Sequence, residues 1–421
     1  MIDIEKIRQH PDKFRQAIRT KRIPLDLEQL LEVDEKRRQE SARLNGLREK
    51  RNRLSEEIAK LPDNKETLKL QSKQNGEELT EVQARYAALD LEFRNLMALV
   101  PSLPAEGVPV GETDEDNVEI RRHGVIEEKQ FKVRDHLELA QMHHMLDLDG
   151  ARTIAGSRAY ALKGAGALLE AALMRFALDR ILAKEFTLVA PPLMVNAEAM
   201  FGTGYFPLGE DNAYEIKNSK LFLTGTSEVG MVAMYRDRLV TANELPIRFV
   251  GSTTCFRREA GAAGRDTKGL YRVHQFQKIE QVVFCKNDED IARVEHLNLL
   301  QNAEEILQEL ELPYRVVAVC TGDMGLGQVE KHDIETWMPS RAHYGETHSC
   351  STFHDFQARR LNIKYRGEAG AKQYVYTLNN TALASPRILI PFLENHQLAD
   401  GSIRVPQALR PYLTNKEILV P

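Results

Sequence analysis

The sequence predicts an α+β protein, a mostly antiparallel sheet flanked by helices and preceded by a helical hairpin. Three observations carry that reading. Apolar residues step by threes and fours through two stretches on either side of Leu61-Pro62-Asp63-Asn64, the seam of a two-helix coiled coil. Beyond residue 121, β-branched and aromatic runs come in clusters with helical patterns at their flanks and no βαβ alternation, which favours antiparallel pairing. Between two such runs, residues 256–280 read FRREAGAAGRDTKGLYRVHQFQKIE, a polar, glycine-rich connection on which binding groups can be displayed.

In chain order, residues 1–25 hold an amphipathic helix with Ile4, Ile7, Phe14 and Ile18 on one face, interrupted near Pro11 and closed by Pro24. Leu44, Leu47, Leu54, Ile58 and Leu61 then mark the first arm of the hairpin, with Arg51 at the one seam position lacking an apolar residue. Leu79, Val82, Tyr86, Leu89, Phe93, Leu96 and Val100 mark the second. At 1.5 Å per residue each arm spans roughly 50 Å, too long to be covered by a compact domain. Residues 1–100 are therefore expected to form an N-terminal domain with an antiparallel coiled-coil arm. Prolines 101, 104 and 109, Gly107, Gly111 and an acidic cluster make 101–120 a linker by composition. The second domain is expected over 121–421, with helices at 135–148, 164–184 and 288–311 and strands around 186–195, 221–228, 247–256, 272–284 and 314–320.

Composition narrows the function. The chain has 421 residues, 42% of them hydrophobic, enough for two or three domains. No apolar run approaches a membrane span and the first residues are charged, so neither a membrane segment nor a signal region is expected. Four scattered cysteines make no disulfide framework, and a reducing cytoplasm is the expected setting. Net charge is −5, yet Lys36, Arg37, Arg38, Arg43, Arg48, Lys50, Arg51 and Arg53 crowd the first arm against only Glu40 and Glu49 between them. The second arm is acidic on balance. That asymmetry points to a phosphate-tracking surface.

The chemistry-bearing residues are mostly cationic. No G-x-x-x-x-G-K-[ST] or G-x-G-x-x-G loop occurs, nor an H-E-x-x-H or a Ser-His-Asp set. Such a chain favours catalysis by positioning and charge neutralisation, as in nucleotidyl transfer, over covalent catalysis. Arg257 and Glu259 have i, i+2 spacing, as do residues on one strand face, and Arg272 and Glu280 also share a face. Arg387 interrupts the apolar run ASPRILIPFL and needs an anionic partner. Glu346 and Ser349 offer oxygen ligands suited to Mg²⁺ with a nucleotide. His348, Cys350 and His354 lack a fourth partner, so no zinc is expected.

Residues 256–280 resemble motif 2 of the class II seryl-tRNA synthetases. Residues 377–397 resemble motif 3 of that family, Thr226-Ser227-Glu228 its T-x-E serine loop, and 156–192 its motif 1. The resemblance spans essentially the whole chain, coiled-coil arm included. Arg258, Asn380, Ser385-Pro386 and His348 stand where the family more often has other residues. The resemblance implies a class II catalytic domain, activation of L-serine by ATP to seryl-adenylate, and transfer of the seryl group to the 3′ end of serine tRNA. Selenocysteine tRNA stays open as a second acceptor. It implies Arg257 and Arg387 as catalytic, and Arg257, Arg258, Glu259, Arg272, Val273, Phe276, Glu346, Thr347, His348, Ser349 and Arg387 around ATP. Phe276 would stack on adenine, and Glu346 and Ser349 would hold Mg²⁺. Thr226, Ser227, Glu228, Arg257, Glu280 and Thr381 would bind serine. Arg37, Arg38, Arg43, Arg48, Lys50 and Arg51 would bind tRNA, and the protein would be a cytoplasmic homodimer. A relative that has kept binding but lost catalysis, or one that loads a carrier protein, are the competing readings.

Overall fold

The structure is a computed structural model that describes residues 1–60, 65–260, 269–367 and 370–421. It divides into two compact units, Met1–Pro101 and Ser102–Pro421. The break expected at 61–64, and with it Leu61 of the seam, lies outside the described residues, as do Arg265, Asp266 and Lys268.

The first unit opens with helices α1 (Ile4–Gln9) and α2 (Pro11–Thr20). Proline is tolerated at the first turn of a helix, where its missing N–H costs nothing, so Pro11 starts the second helix as it ends the first. Helix α3 (Leu27–Lys60) begins at Asp26, whose carboxylate accepts from the backbone N–H groups of Glu28 and Gln29. It pairs with α4 (Lys65–Ala98). Leu44, Leu47 and Val82 are buried between them, with Leu79 and Tyr86 packed alongside. Arg51, read as a seam residue, is exposed. The seam instead takes in Asn75, 2% exposed, whose amide donates to the Leu47 carbonyl at 3.1 Å. At the base of the arm, the buried Asp34 carboxylate pairs with Arg8, Arg37 and Arg38.

The second unit is built on an eight-stranded sheet. Its strands are β1 (Val118–His123), β2 (Thr187–Val189), β7 (Ile247–Phe256), β8 (Gln275–Cys285), β9 (Tyr314–Ala318), β10 (Glu330–Met338), β11 (His343–His354) and β14 (Tyr376–Ser385). Their order is β1-β9-β10-β11-β14-β8-β7-β2, antiparallel throughout except for the β2–β7 pair. Among the described residues three small sheets flank it: β3 (Met194–Asn196), β5 (Leu221–Leu223) and β4 (Tyr214–Ile216); β13 (Lys372–Tyr374), β12 (Lys364–Arg366) and β6 (Leu239–Thr241); and β15 (Ile403–Arg404) with β16 (Ile418–Leu419). Of the segment 101–120, read as linker, residues from Ser102 on are bonded into this unit and the last three belong to β1: Ser102 and Ala105 donate to the carbonyls of Leu326 and Val329, and Thr321 donates to that of Pro109.

The helix expected over 135–148 stops early, as α5 (His136–Met142), and a separate helix, α6 (Leu148–Ala155), starts where it was expected to end. Between them His144 takes φ +53°, a left-handed conformation that ends a helix. Helix α7 (Gly164–Leu182) and helix α10 (Glu289–Glu309) cover one face of the main sheet, where Leu169, Leu173, Phe176, Leu300 and Leu307 join Ile279 and Val283 in the largest core. On the other face α9 (Ser227–Ala233) packs Met231 and Val232 against Phe249, Val282 and Phe284. Beside α9 lie α8 (Ala197–Thr203) and α11 (Phe356–Leu361), and α12 (Leu389–His396) follows β14. The rest of the α9 face stays open, and the candidate site lies there.

Candidate active site

A cleft of about 710 Å³ opens on that face, a size that suits a nucleotide and a small second ligand. Strand β8 organises its floor because side chains alternate along it. Ile279, Gln281 and Val283 face α7 and α10, while Phe276 and Lys278 line the cleft; Glu280, like Glu228 and Thr226, lies behind the lining and meets it through Lys278. Lys278 and Glu280 are both buried and form an ion pair at 2.5 Å. Thr381, across from Glu280 on β14, donates to the same carboxylate at 3.2 Å.

Behind this pair sits Glu228, 4% exposed. Thr226 is the N-cap of α9 and its hydroxyl accepts from the Glu228 N–H at 3.3 Å, which sets the carboxylate's starting direction. Gln357 of α11 donates to Glu228 Oε1 at 2.6 Å. Burial, helped by the nearby Glu280 charge, pushes the Glu228 carboxyl up to about 7 against the pull of Gln357, Lys278 and Asn379. Two carboxylates against one ammonium leave this corner one positive charge short of balance when both are ionised. A ligand ammonium would restore it.

The other end of the cleft is lined by guanidinium groups. Arg257 lies over the Phe276 ring at 5.2 Å, and its N–H donates to the His274 carbonyl at 2.9 Å. Arg272 pairs with Glu259 at 3.2 Å. Arg387 stacks on Tyr271 at 4.4 Å and reaches both the carboxylate and the backbone carbonyl of Glu346, at 3.4 and 3.1 Å. This is the anionic partner that its apolar run required. Burial alone would raise the Glu346 carboxyl, but Arg387, Lys331, Arg257 and Arg272 together hold it below its ordinary value. Three cations converging on one cleft suit a polyphosphate.

Glu346 and Ser349 both line the cleft from β11. Opposite Ser349 in the register stands Asp333 of β10, whose Oδ2 pairs with Lys331 at 3.0 Å and whose Oδ1 is buried with no hydrogen-bond partner. Two hard oxygen donors beside an unsatisfied carboxylate oxygen fit a divalent cation such as Mg²⁺. His348, Cys350 and His354 are not brought together: Cys350 faces His296 of α10, and His354 stacks on Tyr376 at 4.4 Å. The three-residue set that does gather among the described residues is His296, Glu330 and His332, under α10. There the two imidazoles hydrogen-bond each other at 2.8 Å, and burial, helped by Arg293 and Arg121, disfavours added positive charge.

Several expected residues sit differently. Strand β7 ends at Phe256, so Arg257 and Glu259 do not share a strand face. Glu259 takes φ +50°, which costs a non-glycine residue about 1–2 kcal/mol. The backbone is held there from outside: Asn212 accepts from the N–H groups of Arg258 and Ala260, and Arg158 donates to the Glu259 carbonyl. The Arg258 side chain is exposed and does not line the cleft. Ser227 faces Gly251 of β7, where a Cβ would lie 2.5 Å from its hydroxyl, so that hydroxyl does not reach the cleft. Val273, Thr347 and His348 do line it; burial lowers the His348 imidazole to about 4. Asn380 points to the Leu299 carbonyl on α10, so its departure from the family pattern leaves the site untouched. Gln357, Asn379, Asp333, Lys331 and Tyr271 carry no signature that local sequence could have flagged. Gln357 and Tyr271 meet partners more than a hundred residues away, and Lys331 and Asp333, though neighbours in sequence, reach the site only through the pairing of β10 with β11.

The comparisons with known proteins agree over the whole chain. Residues 1–104 match the family described as Seryl-tRNA synthetase N-terminal domain, and residues 213–396 the tRNA synthetase class II core domain (G, H, P, S and T). A serine–tRNA ligase of Deinococcus radiodurans is 44% identical over 420 residues, covering 100% of this chain and 99% of that one. Another, from Thermoanaerobacter pseudethanolicus, is 44% identical with 98% of each covered. A crystal structure of seryl-tRNA synthetase from Pyrococcus horikoshii complexed with ATP superposes with a TM-score of 0.93 at 35% identity, with both chains covered completely. The cytoplasmic serine–tRNA ligase of Naegleria fowleri in complex with AMP gives 0.85 at 27%, covering 97% of this chain and 95% of that one.

The contact between Ser227 and Gly251 yields a stability test. Gly251→Ala is expected to cost about 1–3 kcal/mol in denaturant unfolding, because its methyl group displaces the start of α9. Ser227→Ala, which removes a buried hydroxyl without a partner, is expected to be neutral or slightly stabilising.

Proposed function

This chain belongs to the seryl-tRNA synthetase family of class II aminoacyl-tRNA synthetases, and from that premise we propose how its residues divide the work. It is an enzyme that charges tRNA with serine at the expense of ATP. The observation that carries the residue assignment is polarity: guanidinium groups line one end of the cleft, and a buried carboxylate pair lies behind Lys278 and Thr381 at the other.

Arg257, Arg272 and Arg387 take the triphosphate, with Arg257 also reaching the serine carboxylate. Phe276 stacks on adenine, Glu259 accepts from its amino group, and Val273 completes the wall. Glu228, Glu280, Thr226 and Thr381 receive the ammonium and hydroxyl of serine. The serine carboxylate oxygen then attacks the α-phosphorus, the bond to the β-phosphate oxygen breaks, and pyrophosphate leaves. A terminal ribose hydroxyl of tRNA next attacks the seryl carbonyl, and AMP leaves. The arginines stabilise charge that builds on the phosphates in the transition state, so no covalent enzyme intermediate is needed. Glu346 and Ser349 would hold Mg²⁺, which when bound adds neutralising charge at the phosphates.

The arm has two classes of basic residue. Arg37, Arg38 and Arg43 pair with Asp34 and Asp90, Asp34 and Glu35, and Glu78 respectively. Arg48, Lys50 and Arg51 are exposed, and no ion pair within 4 Å is recorded for them among the described residues. We assign the tRNA backbone to this outer set. A homodimer through the 156–192 segment accounts for the exposed Leu168 and Leu188, and a cytoplasmic location goes with the activity. No described helix is long and apolar enough to cross a membrane.

Three outcomes test this reading. Serine-dependent exchange of pyrophosphate into ATP is expected, and Arg257→Ala should lower it by at least ~10³-fold, the scale of losing an oxyanion-type donor. Exchange that ignores serine, or survives in Arg257→Ala, would sink the assignment. Serine binding needs Glu228 ionised, and its carboxyl titrates near 7 in the free protein. kcat/KM for serine at saturating ATP should therefore fall as pH drops through about 7 and level off above it. Replacing Arg48, Lys50 and Arg51 together by Glu should weaken tRNA binding and flatten its salt dependence while leaving exchange intact. The same change at Arg37 should chiefly loosen the arm.

A further inference from the structure

We propose that Gln357 is a positioning residue for serine selection: it holds the Glu228 carboxylate in place and charged to receive the substrate ammonium. The inference rests on the assignment of Glu228 to the serine end of the cleft.

Gln357 is 1% exposed on α11 and lies outside the cleft lining. Both hydrogens of its amide are committed. One goes to the Thr203 carbonyl at the end of α8 at 3.1 Å, the other to Glu228 Oε1 at 2.6 Å. With both directions taken, the amide cannot turn, and the carboxylate it holds inherits that rigidity. Thr203 O is one of the terminal helix carbonyls that α8 itself leaves without a partner, so the anchor also satisfies a buried acceptor.

The choice of a neutral donor matters. The groups facing Glu228 are Glu280 and Lys278 from β8, Asn379 from β14 and the Tyr205 phenol. Lys278 is already engaged with Glu280. A lysine or arginine at 357 would cancel the remaining negative charge and leave nothing for a substrate ammonium to balance. An amide stabilises the carboxylate through a hydrogen bond without neutralising it. A purely apolar residue would leave Glu228 buried beside Glu280 with less support for its charge, and it would be protonated over a wider pH range.

The test uses the full-length enzyme with Gln357→Met, which keeps length and shape but removes both donors, and Gln357→Leu as a second variant should the first fold poorly. Serine-dependent pyrophosphate exchange is followed across pH 6–9, with thermal melting recorded for each variant. The expected result is a KM for serine raised about tenfold or more, from the loss of a hydrogen bond to a charged group. The KM for ATP should stay within about twofold, and the acid limb of kcat/KM for serine should move up by about one pH unit. An unmoved limb with an unchanged serine KM in a folded variant overturns the proposal. So does an equal loss for both substrates, which marks a merely structural role. If the unmodified enzyme showed no serine-dependent exchange, the functional reading itself would fail, and that outcome is separate from either of these.

Discussion

The second unit depends on burying Lys278 and Glu280 as neighbours on one face of a central strand. Taking two charges out of water costs several kcal/mol per ion unless their geometry and remaining hydrogen bonds repay it. Here the repayment comes from long-range structure. Strand β8 lies between β7 and β14, so Glu280 is held opposite Gly251 and Thr381, and Thr381 donates to it. The other face of the strand is sealed by α7 and α10, which leaves the charged pair no direction but the cleft. Glu228 then cannot be a neutral bystander. Its distance from a second carboxylate makes its own charge conditional, and that condition can be met by a cationic ligand.

The guanidinium end obeys the same rule with the sign reversed. Arg272 and Arg387 are not left as isolated charges before ATP arrives: Glu259 and Glu346 hold them in place. Each pair is partly open to the cleft, so a phosphate can exchange with a carboxylate as partner without moving the arginine far. Tyr271 adds a flat surface under Arg387 that restricts the plane of its guanidinium. Preorganised cations of this kind need little rearrangement as charge develops, which is where electrostatic catalysis gets its effect.

Much of this was legible in the sequence, for reasons that can be named. Heptad spacing reports which residues meet across two helices, so Leu44, Leu47 and Val82 fell where expected. Alternation reports strand faces, and the polar stretch between β7 and β8 marked the site because its flanks were so plainly sheet. Arg387 in an apolar run demanded an anion, and Glu346 is that anion. What stayed illegible depends on contacts that spacing does not encode. Arg51 was assigned to the seam by counting, but Asn75 of the opposite helix occupies the interior by bonding to a backbone carbonyl. Glu259 was placed on a strand by its i, i+2 relation to Arg257, yet Arg158, 101 residues away, helps hold it in a left-handed turn. Ser227 follows Thr226 in the motif but points the other way, because adjacent residues at a helix start diverge by about 100°.

The arm extends the same distinction between charges that are spoken for and charges that are available. Read as a linear tally, eight basic residues crowd the first helix. In three dimensions the inner ones are consumed: Arg37 lies 3.9 Å over the Phe93 ring and bonds Asp34 and Asp90, so it is part of the arm's own packing. A cation already desolvated and paired gains little from a phosphate, since it must give up one anion to take another. The outer residues, Arg48, Lys50 and Arg51, are exposed and outside any ion pair among the described residues, the condition for counterion release to a phosphate backbone. Basic residues on a coiled coil therefore divide by depth along the hairpin into those that build it and those that use it, and only the second group should register in the salt dependence of tRNA binding.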